Sequence, residues 1–252
     1  MTAKHIIDMT GKVVLITGGS RGLGREMALG FAAAGADIVV SSRKLDACKA
    51  VVAEVEGLGR QALAVACHVG HWDECDKLAD AAYERFGKVD VLINNAGKSP
   101  LYDRPVDIDE RLYDSVLDVN LKGPFRLSAL IGERMIAAGG GAIINISSVG
   151  SIRAAKNIIT YAAAKAGLNA MTEAFADALG PTVRVNCILP GPFLTDISKA
   201  WDMDAFNERA KTGIAMQRGG QPDEVVAAAL YLASDHAGFT TGALLRVDGG
   251  VR

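Results

Sequence analysis

Cysteine is scarce in this chain of 252 residues, with four thiols at Cys48, Cys67, Cys75 and Cys187. None forms a Cys-x-x-Cys pair and no His/Cys spacing reads as a zinc site, which excludes a disulfide scaffold and structural zinc; no metal is expected. Cys67 and Cys187 fall in apolar runs and are expected to be buried and inert. Long hydrophobic runs are missing as well: no stretch reaches the ~18 apolar residues of a transmembrane helix. Met1–His5 leads into no apolar segment of the secretory kind, and Gly249-Gly250-Val251-Arg252 is not a known targeting tail. An excess of one charge is also lacking. Lys and Arg total 27 against 29 Asp and Glu, net −2, scattered without runs of like sign. Nothing therefore calls for nucleic acid or a membrane surface as partner. The expectation is a reducing cytoplasm.

What is present suits one large domain spanning 1–252. Half of the residues are hydrophobic, and no Pro- or Ser-rich linker or internal repeat divides them. Short β-branched runs (13–17, 37–42, 62–69, 89–94, 142–147, 183–189, 243–247) alternate with amphipathic segments such as 24–34, 45–58, 73–86 and 222–234. Continuous apolar strands separated by helices predict an α/β fold: a doubly wound, parallel, seven-stranded Rossmann sheet with helices on both faces. Gly139-Gly140-Gly141 reads as a helix-ending turn. The long connection 191–220 holds Phe193, Leu194, Ile197, Trp201, Met203, Phe206 and Met216 and reads both as a substrate lid and as a helix packed on the body.

The first strand runs directly into Gly18-Gly19-Ser20-Arg21-Gly22-Leu23-Gly24, and an Ala-rich helix follows. Glycines there permit a tight turn and close approach to a pyrophosphate, and the helix N-terminus offers unpaired N–H groups to the anion. The second strand ends in Ser41-Ser42-Arg43-Lys44, with no acid until Asp46. An acid at this point would hold a ribose 2′-hydroxyl and repel a 2′-phosphate. Ser42, Arg43 and the nearby Arg21 instead favour NADP(H) over NAD(H). Farther on, Tyr161-Ala162-Ala163-Ala164-Lys165 places a phenol and an ammonium on one helix face. A cation there is expected to lower the tyrosine pKa and make the phenol a usable acid and base.

These motifs, in order from about Lys12 to Gly250, resemble the short-chain dehydrogenase/reductase family in its single-domain branch, with 3-oxoacyl-carrier-protein reductase-like members as the nearest type. Thr17-Gly18-x-x-x-Gly22-x-Gly24 matches the cofactor turn, Asn94-Asn95-Ala96-Gly97 the motif after the fourth strand, and Asn120 the helix asparagine. Ser148, 13 residues before Tyr161, matches the active-site serine, and Pro190-Gly191-Pro192-Phe193-Leu194-Thr195 the nicotinamide loop.

The resemblance implies a catalytic set of Asn120, Ser148, Tyr161 and Lys165. It implies cofactor contacts from Gly18, Ser20, Arg21, Gly22, Leu23, Gly24, Ser42, Arg43, His68, Val69, Asn95, Ala96, Gly97, Tyr161, Lys165, Pro190, Gly191, Phe193 and Thr195. Ser148 is selected over its neighbour Ser147 by spacing. The implied reaction is hydride transfer between NADP(H) and a carbonyl or alcohol, with Tyr161 moving the proton. Lys165 then holds the ribose, and Asn120 holds a water for reprotonation. Two departures stand out. His68 occupies a position where the family often has Asp at the adenine, and Phe193, where Val or Ile is usual, is expected to narrow the substrate pocket. Lys98–Asp103 and the 191–220 loop are expected to line that pocket, for a 3-oxoacyl thioester, a steroid-like ketone or a small aliphatic ketone. A homotetramer or homodimer through the helices near 111–137 and 161–179 and the final strand near 243–250 is implied. An NADP-binding sensor or a related dehydratase or epimerase is the alternative, and retention of both Tyr161 and Lys165 argues against the sensor.

Overall fold

The computed structural model describes residues 7–196, 198 and 201–252. Ile197 and the Met1–His5 segment lie outside the described residues. The apolar runs form β1 (Val13–Thr17), β2 (Asp37–Ser42), β3 (Ala62–Ala66), β4 (Val91–Asn94), β5 (Gly141–Ile146), β6 (Val183–Pro190) and β7 (Leu244–Val247). All pair in parallel, in the order β3-β2-β1-β4-β5-β6-β7. The order reverses between β1 and β4, so the crevice where a doubly wound sheet takes ligands opens at their carboxyl ends.

Strand alternation divides the core into two layers. Val14, Ile16, Ile38, Val40, Ile93, Ile144 and Ile188 face α1 (Gly22–Ala33), α2 (Leu45–Gly57) and α8 (Val226–Ala233). Val13, Leu15, Val39, Leu92, Ile143 and Val185 face the other way, onto α3 (Trp72–Phe86), α5 (Gly123–Ala137) and α6 (Ile159–Leu179). All four cysteines are free and buried. No helix among the described residues is long and apolar enough to cross a membrane.

Three local features shape the site. β3 stops at Ala66, short of the expected Val69. Cys67 N–H still donates to Ser42 O, but His68 N–H turns away to the Glu74 carboxylate at 2.7 Å. Between α4 (Glu110–Leu117) and α5, residues Asp118–Lys122 form a π-helical turn that contains Asn120. Such turns insert one residue into a helix and recur at functional sites. The 191–220 connection carries α7 (Met203–Gly213) and a small core of its own: Phe206, Ala210 and Ile214, against Leu194, Trp201, Met203 and Val251.

Candidate active site

The expected site residues lie at the carboxyl ends of strands or on the helical turns beside that edge. After β1, Gly18 and Gly22 adopt positive φ (64° and 53°), the left-handed region that glycine enters without penalty. A Cβ on Gly24 would stand 2.3 Å from Gly18 O, so helix and turn approach as closely as backbone allows. Thr17 and Asn95 bind this turn to the end of β4. Thr17 Oγ1 accepts from the Asn95 and Ala96 N–H groups, each at 3.1 Å, and Asn95 Nδ2 donates to Thr17 O and Gly18 O at 2.9 and 3.1 Å. Arg21 at the head of α1 is extended and contributes no side-chain cap, and the first turn holds no acid. The N–H groups of Gly22, Leu23 and Gly24 are thus an open anion receptor. A Cβ on Gly22 would touch Thr195 at 3.5 Å, which brings the β6 loop to the same receptor.

Beyond β4, Gly97 joins two of the expected catalytic side chains: its virtual Cβ lies 3.2 Å from Asn120 Oδ1 and 3.8 Å from Lys165 Nζ. Asn120 is fully buried. Its amide donates to Lys98 O at 2.8 Å and Val116 O at 2.9 Å, while its oxygen accepts from Lys98 N–H at 3.3 Å. Lys165 is buried at 2 % exposure and its ammonium donates to Ile146 O at 2.7 Å. Burial pulls its pKa down to about 8. Ser147 and Ser148 diverge. Ser147 donates to Lys165 O at 3.2 Å, whereas the Ser148 hydroxyl accepts from Gly150 N–H at 3.0 Å and reaches the Tyr161 phenol. A Cβ on Gly150 would lie 3.3 Å from Ser148 Oγ and 3.9 Å from the Tyr161 ring.

One expectation is corrected here. The Tyr161 phenol is raised above its ordinary value, because burial outweighs the Ser148 hydrogen bond, and Lys165 is not among the causes. The ammonium lies 5.8 Å from the centre of the Tyr161 ring and gives one of its three N–H groups to Ile146 O.

Comparison with known proteins bears on this constellation. A family model described as enoyl-(acyl carrier protein) reductase matches residues 18–252. The 7alpha-hydroxysteroid dehydrogenase of Escherichia coli strain K12 is 37% identical over 245 residues, covering 97% of this chain and 95% of its own. The chain belongs to the short-chain dehydrogenase/reductase family. It is thereby an oxidoreductase of the class that acts on CH–OH groups with NAD(P). The L-rhamnose 1-dehydrogenase (NAD(P)(+)) of Azotobacter vinelandii is 38% identical over 247 residues, covering 95% of this chain and 96% of its own. A solved 7 alpha-hydroxysteroid dehydrogenase, complexed with NADH and 7-oxo glycochenodeoxycholic acid, superposes with a TM-score of 0.94 at 36% identity, covering 100% of this chain and 98% of that one.

The site of this dehydrogenase/reductase fits a dinucleotide, since the glycine cradle that a Cβ would fill and the uncapped α1 face the same crevice. Arg21 and Arg43 are both exposed, and no ion pair to either occurs among the described residues. Ser42 is turned back, with its oxygen 3.1 Å from Cys48 Sγ. His68 folds over Gly70, accepting its N–H at Nδ1 (3.2 Å), and stacks on His71 with ring centres 4.5 Å apart. The Val69 carbonyl accepts from the Cys75 thiol at 3.2 Å.

Gly18-Gly19-Ser20-Arg21-Gly22 also has the Gly-x-Ser-x-Gly spelling of a hydrolase nucleophile elbow. A nucleophilic serine needs a hydrogen-bonded base, and His68 and His71 bond Gly70 and Glu74 rather than Ser20.

One pocket expectation is corrected. The Phe193 ring, expected to narrow the substrate pocket, is instead buried in the sheet's core layer, against Gly220, where an added Cβ would meet it at 2.8 Å. Leu194, Trp201 and Met203 pack onto Phe206, Ala210 and Ile214, as the packed-helix reading of 191–220 expects. A long excursion must bury its own apolar side chains, and these serve that purpose. Residues outside the motifs also support the site. Asn169 sits one turn beyond Lys165 on α6, which spacing could have flagged. Tyr102 meets the start of α6 from 57 residues away, which no local pattern signals.

Proposed function

We propose that this short-chain dehydrogenase/reductase interconverts a ketone and a secondary alcohol, with NADP(H) preferred over NAD(H). The observation that carries the reading is the convergence of the Ser148 hydroxyl and the Tyr161 phenol at Gly150, with Lys165 one helical turn below. Gly18, Ser20, Gly22, Leu23, Gly24 and Thr195 hold the pyrophosphate. Arg21 and Arg43 hold the 2′-phosphate; Ser42, Val69 and His68 border the adenosine; Asn95, Ala96, Gly97, Tyr161, Lys165, Pro190, Gly191 and Phe193 backbone hold the nicotinamide riboside. The cofactor, once bound, supplies or accepts the hydride at the carbonyl carbon.

The chain's own residues do the rest. Ser148 accepts from Gly150 N–H and keeps its own O–H for the substrate oxygen. Tyr161 binds the same oxygen and, with its pKa raised, is protonated at neutral pH, which suits it to give a proton in the reducing direction. In oxidation the phenolate must form, and the Ser148 hydrogen bond favours it. Asn120, with its oxygen beside Gly97, holds the water through which Lys165 exchanges protons. The substrate is a ketone or alcohol with an apolar ring or chain, entering between Lys98–Asp103 and the 191–220 lid. A 3-oxoacyl thioester is one candidate and a steroid another, the latter supported by the relatives' names.

The exposed apolar residues Trp72, Tyr113 and Phe125, beside α4 and α5, support pairing of two copies into a dimer or tetramer.

Tyr161→Phe tests the chemistry. It removes one oxygen, so NADPH affinity stays within about twofold of wild type while turnover falls at least ~10²-fold. Turnover within tenfold of wild type would remove Tyr161 from the mechanism.

A further inference from the structure

The segment from Ser148 to Ile159 begins at the active-site serine and ends two residues before Tyr161, so its shape sets the distance between the two hydroxyls. Its backbone is irregular: a short 3-10 turn at Val149–Ser151, then exposed chain from Ile152 to Lys156. Two contacts from outside every recognised motif pin its ends. At the serine end, Ser151 Oγ donates to the Ser148 carbonyl at 2.6 Å, and Asn169 Nδ2 donates to Ser151 Oγ at 2.8 Å. Asn169 is itself buried, four residues after Lys165, and its oxygen accepts from the Cys187 thiol at 3.7 Å.

At the tyrosine end, α6 starts without a side-chain cap from Ile158 and without an acid in its first turn. The Tyr102 phenol oxygen supplies the missing acceptor, taking the Ile159 N–H. Tyr102 belongs to the strap Lys98–Asp103, whose first residue is clasped on both sides by Asn120. The strap is thereby tied to two of the proposed catalytic residues, to Asn120 directly and to Tyr161 through the head of its helix.

We propose that Ser151, backed by Asn169, and Tyr102 are positioning residues that hold the Ser148 hydroxyl in hydrogen-bond register with the Tyr161 phenol. This rests on the proposed reaction for its purpose, but the alignment is measurable without a substrate. Asn169 and Ser151 fix the serine by its main chain, and Tyr102 fixes the tyrosine by its helix start. The two anchors lie on different elements, so loosening either one changes the same distance.

The test uses Ser151→Ala and Tyr102→Phe, each of which deletes one oxygen, in the full chain. The Tyr161 resonance in protein labelled at tyrosine Cζ, assigned by its loss in Tyr161→Phe, is followed from neutrality to about pH 10.5, just past the ordinary phenol midpoint. The Ser148 hydrogen bond favours the phenolate, so each deletion lowers the ionised fraction of Tyr161 at pH 10.5, by about threefold for half a pH unit of upward shift. NADPH affinity stays within about twofold, and kcat on any carbonyl the wild type reduces falls about tenfold with KM nearly unchanged. An unmoved Tyr161 titration in both variants overturns the proposal. So does a loss of kcat that merely tracks a loss of NADPH affinity and thermal stability. If the midpoints move but the wild type reduces no carbonyl, the positioning stands and the proposed reaction fails.

Discussion

Replacing Lys165 by methionine should give a more stable protein and an inactive one. Lys165 is buried at 2 % exposure, and folding lowers its pKa from 10.5 to about 8. At one pKa unit per 1.36 kcal/mol, the folded state opposes the ammonium by roughly 3 kcal/mol at neutral pH. Methionine keeps an unbranched stem and discards the charge. The Ile146 carbonyl loses its 2.7 Å donor, which costs about 1 kcal/mol. The net expectation is a variant about 2 kcal/mol more stable at pH 7, by urea unfolding. The pH dependence supplies the check. A lysine with a depressed folded pKa is deprotonated in the folded protein but still protonated in the unfolded chain between about 8 and 10.5. Wild-type stability therefore rises with pH across that window, and the advantage of the variant shrinks. A variant less stable than wild type at pH 7, or a difference that does not change between pH 7 and pH 10, would refute the reasoning. Confirmation would mark Lys165 as a residue kept at the expense of stability.

Three further outcomes follow from the same geometry. Arg43→Asp replaces an exposed cation at the end of β2 by an anion, and the ratio of NADP to NAD efficiency should fall ~10-fold or more; an unchanged ratio removes Arg43 as phosphate reader. Phe193→Val empties part of the core beside Gly220, and should lower stability by about 1–3 kcal/mol with KM for the carbonyl nearly unchanged; a large KM change with intact stability would return the ring to the pocket. Gly24→Ala would press a Cβ to within 2.3 Å of Gly18 O, and dinucleotide affinity should drop ~10²-fold by direct titration; near-normal binding would mean the cradle relaxes freely.

The sheet was readable because its central strands are continuous runs of largely apolar residues buried on both faces, with 13–17 and 37–42 matching β1 and β2 residue for residue. The end of β3 was not, because it is set by Glu74 capturing the His68 N–H from the following helix. The glycine turn and the Tyr161/Lys165 face were legible because their spacing is local. The state of Tyr161 was not: helical spacing places Lys165 on the same face but does not say that its ammonium is held by Ile146 O. Phe193 was misread for a related reason. An apolar residue in a long loop reads equally as pocket wall or as loop core, and only the course of α7 decides. Tyr102 and Asn169 act through contacts across 57 and 18 residues, beyond any motif.

The most direct test of the central claim is the loss of NADPH absorbance on mixing the enzyme with a panel of ring and chain ketones and 3-oxoacyl thioesters, run beside NADH. The account predicts turnover of at least one ketone class, faster with NADPH, and abolished in Tyr161→Phe. Tight NADPH binding with no turnover of any carbonyl, or turnover that survives loss of the Tyr161 hydroxyl, would contradict it.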